Sequence, residues 1–125
     1  MTTYLEQLKT ALLHTFTNVF TIPANMFNPG DIFIEVVSPD IVLTSLHEYV
    51  LDWQYHINTI CSDGTEIEPF VISALQTIEK YFDVGEGKRF LITGITVENL
   101  GLWYSVTMVF KVTQEVATPP LEEEF

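Results

Sequence analysis

From Tyr49 to Cys61 the chain alternates with a period of two. Leu51, Trp53, Tyr55, Ile57, Thr59 and Cys61 fall on one parity, and Asp52, Gln54, His56 and Asn58 on the other. Successive side chains of a strand point to opposite faces. The pattern therefore predicts one long strand with two large aromatics on its apolar face. "DIFIEVV" (31–37) and "IVLTS" (41–45) predict two short strands hinged at Ser38-Pro39-Asp40. "RFLITGITVEN" (89–99) puts Leu91, Thr93, Ile95 and Val97 on one parity. "LWYSVTMVFKVTQEV" (102–116) sets Tyr104, Val106, Met108, Phe110 and Val112 against Ser105, Thr107, Lys111 and Thr113. Asn99-Leu100-Gly101 between these last two predicts a tight hairpin.

Two segments carry the helical period instead. Over residues 3–20, Leu5, Leu8, Leu12, Phe16 and Val19 recur at steps of three and four, and Thr3 with Glu6 has the spacing of a capping box. Residues 65–82 repeat the arrangement. Thr65 and Glu68 form the box, Pro69 sits in the first turn where its missing N–H is harmless, and Val71, Ala74, Leu75, Ile78 and Phe82 supply a buried face. "TIPANMFNPGD" (21–31) is a loop broken by Pro23, Pro29 and Gly30 but rich in apolar side chains. Ile22, Met26 and Phe27 there either lid the core or form a contact arm. "DVGEGKR" (83–89) reads as a turn.

These elements predict a single α+β domain over residues 1–116, a mostly antiparallel twisted sheet of four or five strands with two helices packed on one face. "ATPPLEEEF" (117–125), with two prolines and three glutamates, is expected to form a flexible acidic tail. Helices cover only one side of such a sheet, and at least one long strand must lie at an edge. Residues 49–61 and 102–113 contain no proline and few charges, so an open edge or face there is expected to meet another subunit.

Composition narrows the partners. The 125 residues include 17 Asp and Glu against 5 Lys and Arg, a formal net charge of −12. Lys88-Arg89 is the single adjacent basic pair. Nucleic-acid binding needs clustered cations to replace phosphate counterions, so this balance argues against it. It favours solubility before assembly and attraction to a basic partner. Hydrophobic residues make up 47% and the mean hydropathy is +0.24. No apolar run is long enough to span a membrane, and the N-terminal segment, with Glu6 and no basic start, does not read as a signal peptide. The apolar excess is then expected to be buried in the fold or against protein partners. The one cysteine, Cys61, allows no intrachain disulfide and suits a reducing compartment.

Candidate chemistry is sparse. His14, His47 and His56 are scattered, and His56 and Asp52 on one strand face stand about 13 Å apart at ~3.3 Å per residue, too far to share one metal. "SDGTEIE" (62–68) lacks the ladder of oxygen ligands of a calcium loop and reads as helix capping. "GEGKR" (85–89) follows a helix and precedes a strand, the reverse of a phosphate loop. Cys61 has no basic flank and Ser62 lies in no nucleophile elbow. No acid–base pair emerges, so the chain reads as a non-enzyme without a cofactor. Trp103 shares its parity with Ser105, Thr107 and Lys111, which places it among the exposed candidates.

The order of elements carries a resemblance. "LHEYVLDWQYHINTICSDGTEIEPFVISALQTIEKYF", with Trp53, Tyr55, Ile57, Ile60, Asp63 and Gly64 in its strand and turn, resembles the middle of the R-type tail completion proteins of contractile-tailed phages, relatives of the tail terminators. "RFLITGITVENLGLWYSVTMVFKVTQEV" is similar to the family's final hairpin and "TPPLEEE" to its acidic end. The likeness covers residues 31–122; the second helix departs from the family in carrying only Lys80 as a basic residue. The resemblance implies a structural virion protein at the head-proximal end of the tail. It would form a ring, expected to be a homo-hexamer, that ends polymerisation of the tail tube, caps the sheath where one exists and docks the head connector. The host cytoplasm would be its place during assembly. Candidate ring contacts are Asp52, Gln54, His56, Asn58 and Trp103; candidate tube or connector contacts are Met26 and Phe27. The competing expectations are an acidic adaptor or scaffold and an inhibitor that mimics nucleic acid against a basic enzyme.

Overall fold

In a computed structural model the chain is described at residues 4–22, 28–83 and 88–117, with the backbone alone at 38–40, 88–89 and 116–117. Helix α1 spans Tyr4–Leu12 and α2 Ile67–Tyr81. The strands are β1 (Val19–Phe20), β2 (Ile32–Leu43), β3 (Glu48–Cys61), β4 (Lys88–Asn99) and β5 (Tyr104–Ala117). They form one sheet in the order β1-β2-β3-β5-β4. The four long strands pair antiparallel, while β1 adds a short parallel pair at the β2 edge, so the sheet is mixed. No helix among the described residues is long and apolar enough to cross a membrane.

Both helices pack on one face, as their apolar stripes require. A single core joins Leu8 and Leu12 of α1, Ala74 and Ile78 of α2, and the alternating residues of β3 and β5. Tyr55, Ile57, Thr59 and Cys61 are buried on β3, opposite Phe110, Met108, Val106 and Tyr104 on β5. Trp53 packs half-buried against this core, edge-on to Tyr4 at 6.5 Å. Phe110 meets Phe82 at 5.1 Å and Phe90 at 5.5 Å, an aromatic cluster under the C-terminal end of α2.

The first helix ends at Leu12 rather than continuing to residue 20. Its last turn tightens through three-residue bonds, His14 N–H to the Ala11 carbonyl at 3.2 Å and Thr15 N–H to that of Leu12 at 3.1 Å. Thr15, Thr17 and Val19 are β-branched and lose side-chain freedom in a helix. The segment instead crosses α2 and enters the sheet. Thr77 spends its hydroxyl proton on the Ser73 carbonyl at 2.6 Å, so Thr15 donates in the 2.6 Å bond between the two hydroxyls. Thr3 lies outside the described residues.

The second helix also starts differently from the expected box. Asp63 accepts from Thr65 N–H at 2.9 Å and from the Thr65 hydroxyl at 3.1 Å, capping a 3₁₀ turn at Gly64–Glu66. Glu66 then reaches back to Ser62 N–H at 3.3 Å, and α2 follows from Ile67 with Pro69 in its first turn. Its buried face is Phe70, Ala74, Thr77, Ile78 and Phe82; Val71 is half-buried and Leu75 is exposed.

Each outer long strand contains one irregularity that switches its parity. The two segments expected at 31–37 and 41–45 merge into the single strand Ile32–Leu43, because the chain bulges between Val37 and Asp40 and then resumes pairing with β3. Beyond that bulge Ile41 pairs with Leu51 and Leu43 with Tyr49, on the helix face. The break between Ile92 and Gly94 has the same effect on β4. It splits the set Leu91, Thr93, Ile95 and Val97: Leu91, opposite Lys111, faces away from the helices, whereas Ile95 and Val97, opposite Met108 and Val106, share the core side. A bulge adds a residue and so exchanges the faces downstream of it. Ala117 still pairs with Glu48, so the sheet runs one residue into the expected tail. Residues 118–125 lie outside the described residues.

Candidate subunit interface

The long strand that alternates so regularly is not at an edge. β3 is paired with β5 over Glu48–Cys61 and with β2 between Tyr49 and Thr59. Among the described residues, the long open flanks belong to β4, from Lys88 to Asn99, and to β2 from Ile34 to Leu43, since β1 covers only Ile32 and Phe33. Sequence pattern identifies a strand but carries no information on its neighbours, so the edge expected within 49–61 or 102–113 moves to these two strands.

Asp52, Gln54, His56 and Asn58 do come together, on the helix-free face in the middle of the sheet, and all four are half-buried. Their polar groups are engaged with one another and with neighbouring strands. Thr113, directly opposite Asp52, donates its hydroxyl to that carboxylate at 2.8 Å. Thr107 does the same for the Asn58 side-chain carbonyl at 2.8 Å, and the Asn58 amide donates to the Phe33 carbonyl at 3.3 Å. Gln54 and His56 approach at 3.3 Å, and His56 Nδ1 stands 3.5 Å from a Glu35 oxygen. Such cross-strand pairs stabilise the sheet they belong to.

Trp103 lies apart from that group, 37% exposed in the β4–β5 hairpin. The hairpin closes with Leu100 N–H on the Trp103 carbonyl at 2.8 Å. Gly101 at φ +97° takes a backbone conformation that residues with a Cβ rarely adopt, and its N–H bonds the Asn99 side chain at 2.8 Å. Met26 and Phe27 lie outside the described residues.

What the sequence reading missed is the gathering of exposed apolar side chains at both ends of the sheet. At the β4–β5 end, Leu102 is 85% exposed beside Trp103 and Leu100. At the opposite end the β2–β3 hairpin carries Leu46, 94% exposed, with Ile41, Val42 and Leu43. The signal was present as leucines inside the turn segments "LTSLH" and "NLGLW", where polar residues are the rule.

Among the described residues, three groups depart from their ordinary ionisation. Burial, and secondly the Glu66 carboxylate, push the Cys61 thiol up from its ordinary value, so it stays a thiol rather than a nucleophile. Burial, with a smaller contribution from Tyr4, raises Tyr55 to about 12. The Thr65 backbone N–H, then its hydroxyl, hold the Asp63 carboxyl below its usual range. A shallow cleft of about 420 Å³ lies between the helices, lined by residues including Gln7, His14, Tyr81 and Asp83; the His14 ring is stacked on Tyr81 at 3.8 Å. Among the described residues there is no group of three or more His, Cys, Asp or Glu that could hold a metal ion.

No protein-family model matches the chain, and no curated protein matches it.

Proposed function

We propose that this protein is a structural subunit of a phage tail, a terminator that closes the head-proximal end of the tail tube as a ring and docks the head connector. The observation that carries the reading is the pair of apolar hairpin ends. Exposed apolar surface of this kind marks protein contacts. Here it lies at two opposite ends of one sheet, around Leu46 and around Leu102. A terminator needs two such ends, one for the tube below and one for the connector above. The ring, expected to be a homo-hexamer, would meet the tube protein, the connector and, in a contractile tail, the sheath. The net charge of −12 suits partners with basic docking surfaces. On this reading the role is structural rather than catalytic, and the protein ends in the virion.

The test is tail length by negative-stain microscopy, after deletion of the gene from a phage or prophage that carries it. Overlong or headless tails, returned to uniform length by the purified protein, are the expected result. Normal tails with heads attached would exclude a terminator and turn attention to an acidic adaptor.

A further inference from the structure

We infer that copies of this chain join edge to edge, the β4 edge of one copy pairing antiparallel with the β2 edge of the next, with the helices of both on the same side. This deepens the ring reading and rests on it for closure alone.

Strand direction makes the join possible. Three successive antiparallel pairings mean that β2 and β5 run one way and β3 and β4 the other. The two open flanks are therefore antiparallel to each other. A second copy set beside the first in the same orientation brings its β2 against β4 in the sense the ladder already has. Such a head-to-tail contact uses two different surfaces and closes into a ring when the rotation per copy permits. Strand addition at an open edge is a general mode of recognition, and each copy holds both halves of it.

The ladder also supplies the register. Followed straight across β5 and β3, Leu91 stands level with Val37 and Ile95 level with Ile34. β1 blocks the β2 edge at Ile32 and Phe33. The free β2 run from Ile34 to Ile41 thus faces the β4 run from Ile95 back to Lys88.

The side chains along the two flanks match in kind. On β4 the stretch from Phe90 to Val97 has no charge, and Leu91, Ile95 and Val97 are exposed. On α2, Ile72 and Leu75 are both exposed. At about 100° per residue they lie on the side of α2 away from Phe70, Thr77 and Tyr81, which meet the α1 side. On β2, Val36, Ile41 and Leu43 are exposed on the same helix face. The charges complement as well. Residues 32–43 contain Glu35 and Asp40 and no Lys or Arg, while β4 begins with Lys88 and Arg89, two of the five basic residues of this acidic chain. Straight across the ladder, Arg89 stands level with Asp40. Edge strands are ordinarily blunted by lysines, prolines or covering loops. Here β2 carries Pro39 at its bulge, and β4 carries Lys88 and a bulge between Ile92 and Gly94; no further strand among the described residues covers either flank.

The test is cysteine pairing. Purified protein carrying Leu91→Cys and Val37→Cys together is oxidised and analysed on a non-reducing gel; Cys61 is buried and serves as a constant background. The expected result is a ladder of disulfide-linked copies, with no such ladder from either single variant. Dimers from Leu91→Cys alone would show β4 pairing with itself and overturn the inference. A doubly substituted protein that stays monomeric at high concentration would overturn it too. Amide exchange of the wild-type chain gives a measurement independent of the variants: the β2 and β4 edge amides should slow as concentration rises, and unchanged rates would sink the proposal. Failure here with tail-length control intact would leave the terminator in place and remove only this contact.

Discussion

Tyr55 shows how one buried side chain ties fold to pH. The alternation predicts its inward position, and the structure places it 3% exposed, with its ring 6.3 Å from Phe110. Burial disfavours the phenolate, and the group rises from 10.0 to about 12. Between these values the unfolded chain has released its proton and the folded chain has kept it. Stability from this group is therefore complete below the unfolded value and is lost as pH climbs towards the folded one. Urea midpoints measured from about pH 9 to about pH 12 should fall more steeply for the wild type than for Tyr55→Phe. Equal slopes would place the alkaline loss elsewhere. Trp53, half-buried against the core, and Trp103, 37% exposed, also fall on the sides their parities predict.

At the scale of elements, Asp31 decides how the N-terminal segment joins the sheet. It is buried, and its two carboxylate oxygens accept from the Asn18 amide at 3.0 Å and from Asn28 N–H at 3.1 Å. Its carbonyl accepts the Thr59 hydroxyl at 2.7 Å, and Ile32 N–H bonds the Asn18 carbonyl at 2.9 Å. Asp31→Ala removes two charge-assisted bonds and strands their donors, at a cost of about 2–3 kcal/mol. The Ile32 amide should then exchange with solvent markedly faster. An unchanged Ile32 amide would mean that β1 is held by its apolar contacts alone. In the sequence Asp31 reads only as the first residue of a strand. Its role depends on Asn18 and Asn28, thirteen and three residues away, brought together by a parallel pair that no local pattern announces.

For the whole molecule the two apolar ends make separable predictions. Leu46→Asp and Leu102→Asp each change a side chain that contacts solvent, so each should leave folding stability within about 0.5 kcal/mol. In the deletion background the two variants should fail in different ways. One should restore tail length without head joining, and the other should leave tails overlong. Full complementation by both would show that the hairpin ends are not the contact faces. The open β2 and β4 flanks act at right angles to these ends, so one small subunit presents lateral and axial contacts on different surfaces.

Period-two and period-3.6 patterns determined by themselves that this chain folds as an α+β domain, which residues of β3 and β5 fill its core, and where the second helix lies. Those properties depend on side chains adjacent along the chain or one turn apart, so they are written locally. The tertiary structure alone decided strand order, the two bulges and hence which surfaces remain open. Pairing partners lie far apart in sequence, and a single extra residue on β2 or β4 exchanges every face beyond it. That is why the long strand, conspicuous in the sequence, lies in the middle of the sheet, while the less regular β2 and β4 hold its edges.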